Sequence, residues 1–247
     1  MILHNEAVFE SSHLTAGGHH DRIKAWTTTS TEELYQLMEL GWLDTDARCS
    51  LAETEFLETG SANFLEAYEW MARELDRRTF SRPTAYPRWL WTRVLGQSSW
   101  SETPAAFYKH LPGTYALVEF EMRRENVLLS DYEAWHAPLN GWYLPLDEEN
   151  DDEFRAWEDS HRGPNFALKR RQMVVNSWSR CLNVDDPPAY MSSGDTTQGV
   201  TWMFTRSEVT FAATFTVTEE DDAAEDGGGL LGDRLASILV DHRWRNF

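Results

Sequence analysis

The sequence is poor in cysteine and has no long apolar run. Among its 247 residues the 2 cysteines, Cys49 and Cys181, are far apart and in no metal-ligand spacing, so we expect two reduced thiols. No stretch of about 18 apolar residues occurs, and the N-terminal segment lacks the charged and apolar regions of a signal peptide. These absences predict a cytoplasmic protein with no membrane partner.

Basic residues are also scarce. The chain has 22 Lys and Arg against 41 Asp and Glu, which gives a formal net charge of −19. Proteins that bind nucleic acid without sequence preference depend on clustered Lys and Arg that displace counterions from the phosphates. The charge therefore argues against general nucleic-acid binding.

Two common catalytic signatures are missing. The chain contains no Gly-Lys-Ser/Thr phosphate loop and no Gly-x-Ser-x-Gly. The phosphate-loop nucleotidases and the α/β-hydrolases are disfavoured accordingly.

What the sequence does contain is enough apolar material for a sizeable core, with 41% hydrophobic residues and 12 Trp. Ser/Thr caps followed by acids and helical spacing predict one helix ending near Gly41 and a second over residues 61–80. A further helix is expected in 168–184 and strands in 114–122, 126–130 and 198–217. Pro83 and Pro87 force an extended segment that places Trp89 and Trp91 on one side.

This order predicts an α+β fold in a single domain, with a small twisted mixed or antiparallel sheet and flanking helices. We expect residues 1–22 to be a flexible leader and 23–218 to be the domain. The acidic, Gly-rich segment at 219–229 is typical of a flexible loop, and a C-terminal helix is expected after it, within 219–247.

Four fragments together carry a family resemblance: AWTT at 25–28, AYEWM with YPRWLW within 67–91, LLSDYEAWHAPLN at 128–140, and QGVTWMF at 198–204. In this order they resemble a bacterial family known only as a domain of unknown function, number three-eight-four-one, over about residues 24–210. Thr29 stands where that family commonly has Gln. The resemblance implies a family but no activity.

The arrangement is also similar to the ADP-ribosyltransferase fold, and this similarity implies NAD, or another small nucleotide, as cofactor. Trp26 and Thr27 would hold the nicotinamide or its ribose, Gln198 would contact the ribose, and the stacking aromatics would be Tyr86, Trp89 or Trp91. Gln198 is neutral and cannot stabilise a developing cation as a carboxylate does. Asp131 is then the candidate acid.

The block around His136 is the second candidate for chemistry. A turn capped by Asp131 would place His136 and Asn140, four residues apart, on one face. His136 then serves as a general base, a ligand contact or a structural residue, and Asn140 as a polar contact to the cofactor.

No metal site is expected. Glu133 with His136 and Glu158 with His161 have the Glu-x-x-His spacing of di-iron bundles, but Pro and Gly end the supporting helices too early. The acidic run at 147–153 lacks the spaced ligands and turn Gly of a calcium loop and reads as a solvated loop or a helix start.

Two functions of different class remain open. The first is an ADP-ribosyltransferase-like enzyme that holds NAD in a Trp-lined cleft, with His136, Asp131 and Gln198 as catalytic residues. The alternative is a noncatalytic binding module for a nucleobase, peptide or small metabolite. The oligomeric state is not fixed by the sequence.

Overall fold

The structure is a computed structural model that describes residues 7–10, 22–43, 58–79, 86–103 and 113–217, with side chains from residue 22 onward. The chain divides into two compact units. Unit 1 comprises residues 1–44, 89–127 and 201–247, and unit 2 comprises 45–88 and 128–200.

The strands are, in chain order, β1 (Ala7–Glu10), β2 (Arg22–Ser30), β3 (Trp42–Leu43), β4 (Arg88–Arg93), β5 (Gly113–Arg123), β6 (Leu128–Asp131), β7 (Thr197–Thr201), β8 (Phe204–Thr205) and β9 (Val209–Val217). The α-helices are α1 (Thr31–Leu40), α2 (Asn63–Thr79), α3 (His136–Asn140), α4 (Glu148–Ser160) and α5 (Phe166–Ser177).

Unit 1 is built on an antiparallel sheet in the order β1, β9, β5, β2, β4. The β2–β5 ladder stays in register from the pair Arg22–Arg123 to the pair Ser30–Tyr115. Buried aromatic and aliphatic side chains pack into one core cluster: Trp26, Val94, Leu117 and Phe215. Trp91, Trp100, Tyr115 and Phe211 pack around it.

Helix α1 begins and ends where its sequence signals lie. The Ser30 hydroxyl accepts a hydrogen bond from the Glu33 N–H, and the Glu33 side chain accepts one from the Ser30 N–H, which forms a capping box. Gly41 ends the helix in the left-handed region at φ 85°, and its N–H donates to the Leu37 carbonyl. The predicted helix is confirmed with both termini.

Unit 2 contains helices α2 to α5 and the antiparallel β6–β7 pair. Helix α2 confirms the predicted second helix, and its apolar stripe is buried at Ala67, Tyr68, Trp70, Met71 and Leu75. The acidic run at 147–153 is a helix start: Asp147 caps α4 through the Asn150 N–H at 2.8 Å. Carboxylates at this end are favoured by the helix dipole.

The prediction of a single α+β domain with an antiparallel sheet and flanking helices is confirmed. Strand β1 lies within the segment 1–22, where no strand was predicted, and pairs with β9. The expected loop and helix in 219–247 lie outside the described residues. In the part of the chain that the structure describes, no helix has the length and apolar content needed to cross a membrane.

Candidate functional site

Asp131 fixes the corner at which β6 turns into α3. Its side chain is buried, and Oδ1 accepts a hydrogen bond of 2.8 Å from the Ala134 N–H. Oδ2 accepts a second one of 2.6 Å from the Ser192 hydroxyl. The first contact is the cap that the sequence predicts. Because each oxygen already has a donor, this carboxylate holds the corner in place.

His136 begins α3 with its imidazole fixed in one tautomer. Nδ1 lies 3.0 Å from the Tyr132 carbonyl oxygen and 3.2 Å from that of Glu133. A carbonyl only accepts, so Nδ1 carries a proton, and in the neutral form of the ring Nε2 is then the acceptor. Nε2 has no hydrogen-bond partner among the described residues. The half-buried ring therefore offers one oriented lone pair.

Asn140 closes the same short helix from the other end. Its side-chain amide donates to the His136 carbonyl at 2.7 Å, and its own carbonyl accepts from Asn63 Nδ2 at 3.1 Å. Gly141 follows at φ 66°, where an added Cβ would lie 3.0 Å from Asn63 Oδ1. The four-residue spacing of His136 and Asn140 thus brings the Asn140 side chain to the backbone carbonyl of His136.

Trp142 presents an exposed ring just beyond that glycine. Its carbonyl accepts from Trp178 Nε1 at 2.8 Å, and its N–H donates to the Ala137 carbonyl at 2.8 Å. The main chain is therefore held on both sides, while 54% of the residue remains exposed. An indole on a fixed backbone is a ready surface for stacking.

Ser130 and Gln198 form a buried polar pair across the β6–β7 ladder, where they lie directly opposite each other. Ser130 is 0% exposed and Gln198 6%. Within the described chain, neither Ser130 Oγ nor Gln198 Nε2 has a hydrogen-bond partner. A buried polar atom left unpaired costs about 1–3 kcal/mol, so these atoms call for a water or ligand partner.

Tyr86 lies at one end of an aromatic series in unit 2. Its ring meets Tyr68 edge-on at 6.4 Å, and Tyr68 meets Trp135 at 6.0 Å. Trp135 stacks on Trp70 at 6.3 Å, and Trp70 meets Trp178 at 5.8 Å. The half-buried Tyr86 is the member predicted to contact a cofactor.

The predicted cofactor contacts of unit 1 lie on β2 and β4. Trp26 is 0% exposed in the core and stands opposite Trp91 in the ladder. Trp89 and Trp91 are half-buried, and their two-residue spacing on β4 puts both on one face. Thr27 is half-buried as well. Because the Trp26 ring has no exposed surface, its burial disfavours the predicted contact with a cofactor.

The predicted residues therefore separate into two sets. Trp26, Thr27, Trp89 and Trp91 belong to unit 1. Unit 2 holds Tyr86, Asp131, His136, Asn140 and Gln198. In the second set, hydrogen bonds and the turn tie Asp131, His136 and Asn140 to one corner.

Cys181 is a free thiol, buried within unit 2. Burial raises its pKa well above the ordinary value, and the negative charges of Asp131 and Glu74 raise it further. The thiol stays protonated at neutral pH and is a poor nucleophile.

No cluster of three or more His, Cys, Asp or Glu side chains suited to a metal ion occurs in the described ranges. In both Glu-x-x-His pairs the glutamate already has another partner. Glu133 accepts a hydrogen bond from the Ser193 N–H, and Glu158 forms an ion pair with Arg170.

Two members of the corner were not anticipated from sequence. Ser192 lies in a turn-rich stretch 61 residues from its partner Asp131, and Ser130 is a single small polar residue in an apolar strand. No local signal marks Ser192. Ser130 could have been noticed from its position, because it directly precedes the capping residue Asp131.

The sequence pattern of a family described as Domain of unknown function (DUF3841) matches residues 26–210. This range includes β6, α3 and β7, and hence the whole corner around His136. No curated protein and no solved structure matches the chain significantly.

Proposed function

The chain belongs to the DUF3841 family, and we propose that it binds a small aromatic or heterocyclic ligand at the corner of β6, α3 and Trp142. The observation that carries the proposal is the oriented His136 ring. Its Nδ1 is committed to backbone carbonyls, which leaves Nε2 to accept a hydrogen bond from a ligand N–H or O–H.

The neighbouring groups supply complementary interactions. Stacking of a heterocycle on an aromatic side chain contributes about 1–3 kcal/mol, and Trp142 offers an exposed ring two residues after Asn140. The unpaired Ser130 hydroxyl and Gln198 amide are further donors for a polar substituent, although they are buried. Binding sites typically combine apolar walls with a few placed polar groups in this way.

A nucleotide such as NAD is the ligand class that we propose first. It provides two heterocycles for stacking and ribose hydroxyls that donate to an acceptor such as Nε2. Tyr86 is the aromatic residue of the predicted cofactor set that shares unit 2 with His136. We also place the protein in the cytoplasm, a proposal supported by the free thiol of Cys181.

ADP-ribosyl transfer from NAD is a second candidate. The observation in its favour is Gln198 on β7, a late strand, with an amide nitrogen that has no partner within the described residues. In this mechanism the amide donates to an acceptor oxygen of the ribose. A carboxylate is still needed near the cationic sugar, and Asp131 uses both oxygens to hold the turn. For this reason we place noncatalytic binding first.

The test is calorimetric titration of the full chain with NAD, ADP-ribose, nicotinamide and adenosine, together with native mass spectrometry of the freshly purified protein. We expect saturable binding of at least one probe or a co-purified small molecule. Release of nicotinamide from NAD, measured by chromatography, separates transfer from binding alone.

Two substitutions isolate the proposed acceptor. The amide nitrogen of His136→Asn can replace Nδ1 in the bond to Tyr132 but supplies nothing at Nε2, so binding should weaken about tenfold while the fold is kept. His136→Gln can place an acceptor near Nε2 and should recover part of the affinity. If every probe fails to bind and no ligand co-purifies with the folded protein, the proposed function is wrong.

A further inference from the structure

The turn between α4 and α5 forms a pocket that is separate from the corner around His136. Its volume is about 150 Å³, and its lining includes Trp157, His161, Phe166 and Lys169. Gly163 and Pro164 stand in the turn and prevent α4 from continuing into α5. The pocket is therefore set by the chain reversal.

Its lining is largely aromatic. The rings of Trp157 and Phe166 stack with centroids 5.6 Å apart and planes 19° apart. His161 stacks on Trp157 at 4.9 Å and 23°. A flat aromatic ligand can pack against such a group of near-parallel rings.

The size of the pocket limits the ligand to about one ring. An engineered cavity of about 150 Å³ in another protein accommodates benzene. A dinucleotide is much larger than this, so the ligand class differs from the one proposed for the His136 corner.

Lys169 adds an uncompensated positive charge at the pocket. It is exposed, and its ammonium group has no ion pair or hydrogen bond among the described residues. The next two cations are paired, Arg170 with Glu158 and Arg171 with Glu66. In a chain with a net charge of −19, an unpaired lysine beside an aromatic wall is suited to an external anion.

We propose that this pocket binds a single-ring aromatic carboxylate. The ring lies against Trp157 and Phe166, and the carboxylate accepts a hydrogen bond from the Lys169 ammonium group. His161 directs Nδ1 to the Trp157 carbonyl at 2.9 Å and has Nε2 left to face the solvent or the ligand. The site does not include His136, so this proposal is tested independently of the proposed function.

The experiment is a titration of the isotope-labelled full chain with benzoate, followed by amide shifts in two-dimensional NMR. We expect saturable shifts concentrated in residues 157–169. Benzyl alcohol, which keeps the ring but lacks the charge, should bind at least about fivefold more weakly, because a charged hydrogen bond is stronger than a neutral one.

Two variants and one control complete the test. Lys169→Gln should weaken benzoate binding about tenfold, and Phe166→Leu should weaken both probes. Lys24→Gln is the matched control, since Lys24 is an exposed lysine on β2 in unit 1. Absence of saturable shifts in 157–169, or equal benzoate affinity in Lys169→Gln and the unsubstituted chain, overturns the proposal.

Discussion

The Ser192 hydroxyl donates a 2.6 Å hydrogen bond to Asp131 Oδ2 across 61 positions of the chain. This bond joins the turn after β6 to the segment before β7. Together with the cap on Ala134, it makes Asp131 a structural residue of the corner.

Asp131→Ala should lower the free energy of unfolding by about 3 kcal/mol, because a buried carboxylate with two donors is lost and both donors are left unpaired. The cap alone predicts about 1 kcal/mol. Urea denaturation distinguishes the two values. Ser192→Ala removes the bond to Asp131 and the bond that the Ser192 hydroxyl accepts from the Gly194 N–H, and its effect should lie between zero and that of Asp131→Ala. A loss near 1 kcal/mol in Asp131→Ala would show that the Ser192 bond contributes nothing.

His136→Ala should reduce stability by about 1 kcal/mol, since it removes the Nδ1 hydrogen bond from a half-buried position. Trp178→Ala provides the comparison: Trp178 is 0% exposed, and its truncation should cost about 3–5 kcal/mol. Thermal unfolding of both variants measures the difference. Equal losses would mean that His136 serves the core and not a ligand.

Gly41→Ala should destabilise α1 by about 1 kcal/mol, because φ 85° is strained for a residue with a Cβ. No atom lies within 4 Å of the added Cβ, so crowding does not contribute. Gly163→Ala is the control, with the same open space and without a positive φ. A similar change in melting temperature for both variants would contradict the conformational explanation.

Alkaline pH should destabilise the protein through Cys181. Burial raises the folded-state pKa of this thiol above the ordinary value of 9.0. The stabilisation that comes from this shift is therefore fully present below about pH 9. As pH rises beyond about 9, only the unfolded chain ionises, and stability falls by up to about 1.4 kcal/mol per pH unit. We expect this decrease in stability in the Cys49→Ser variant. It should be smaller in the double variant that also carries Cys181→Ala. Iodoacetamide should label Cys181 slowly until urea unfolds the chain.

The sequence predicts the local features of the fold well. Ser30, Glu33 and Gly41 are cap residues whose partners lie within four positions, so α1 follows from the sequence directly. The same holds for the Asp131 cap. These contacts need no knowledge of tertiary structure.

Long-range pairing explains what the sequence does not predict. The β1–β9 ladder pairs strands that are far apart in the sequence, such as Phe9 with Ala212. The Ser130–Gln198 pair depends on a strand register that no local pattern encodes. Trp26 shows the same limit. The AWTT fragment at 25–28 singles out this residue, but it does not say that the ring would pack with Val94, Leu117 and Phe215.

The interleaving of the two units has a consequence for biosynthesis. Strand β5 pairs with β2 on one side and with β9 on the other, and β9 ends only at Val217. In a nascent chain, the edge of β5 that pairs with β9 therefore stays without a hydrogen-bonded partner until most of the protein has left the ribosome. Synthesis that stops after unit 2 would leave a long open strand available to other chains, so premature termination late in translation should yield aggregates rather than a smaller folded product.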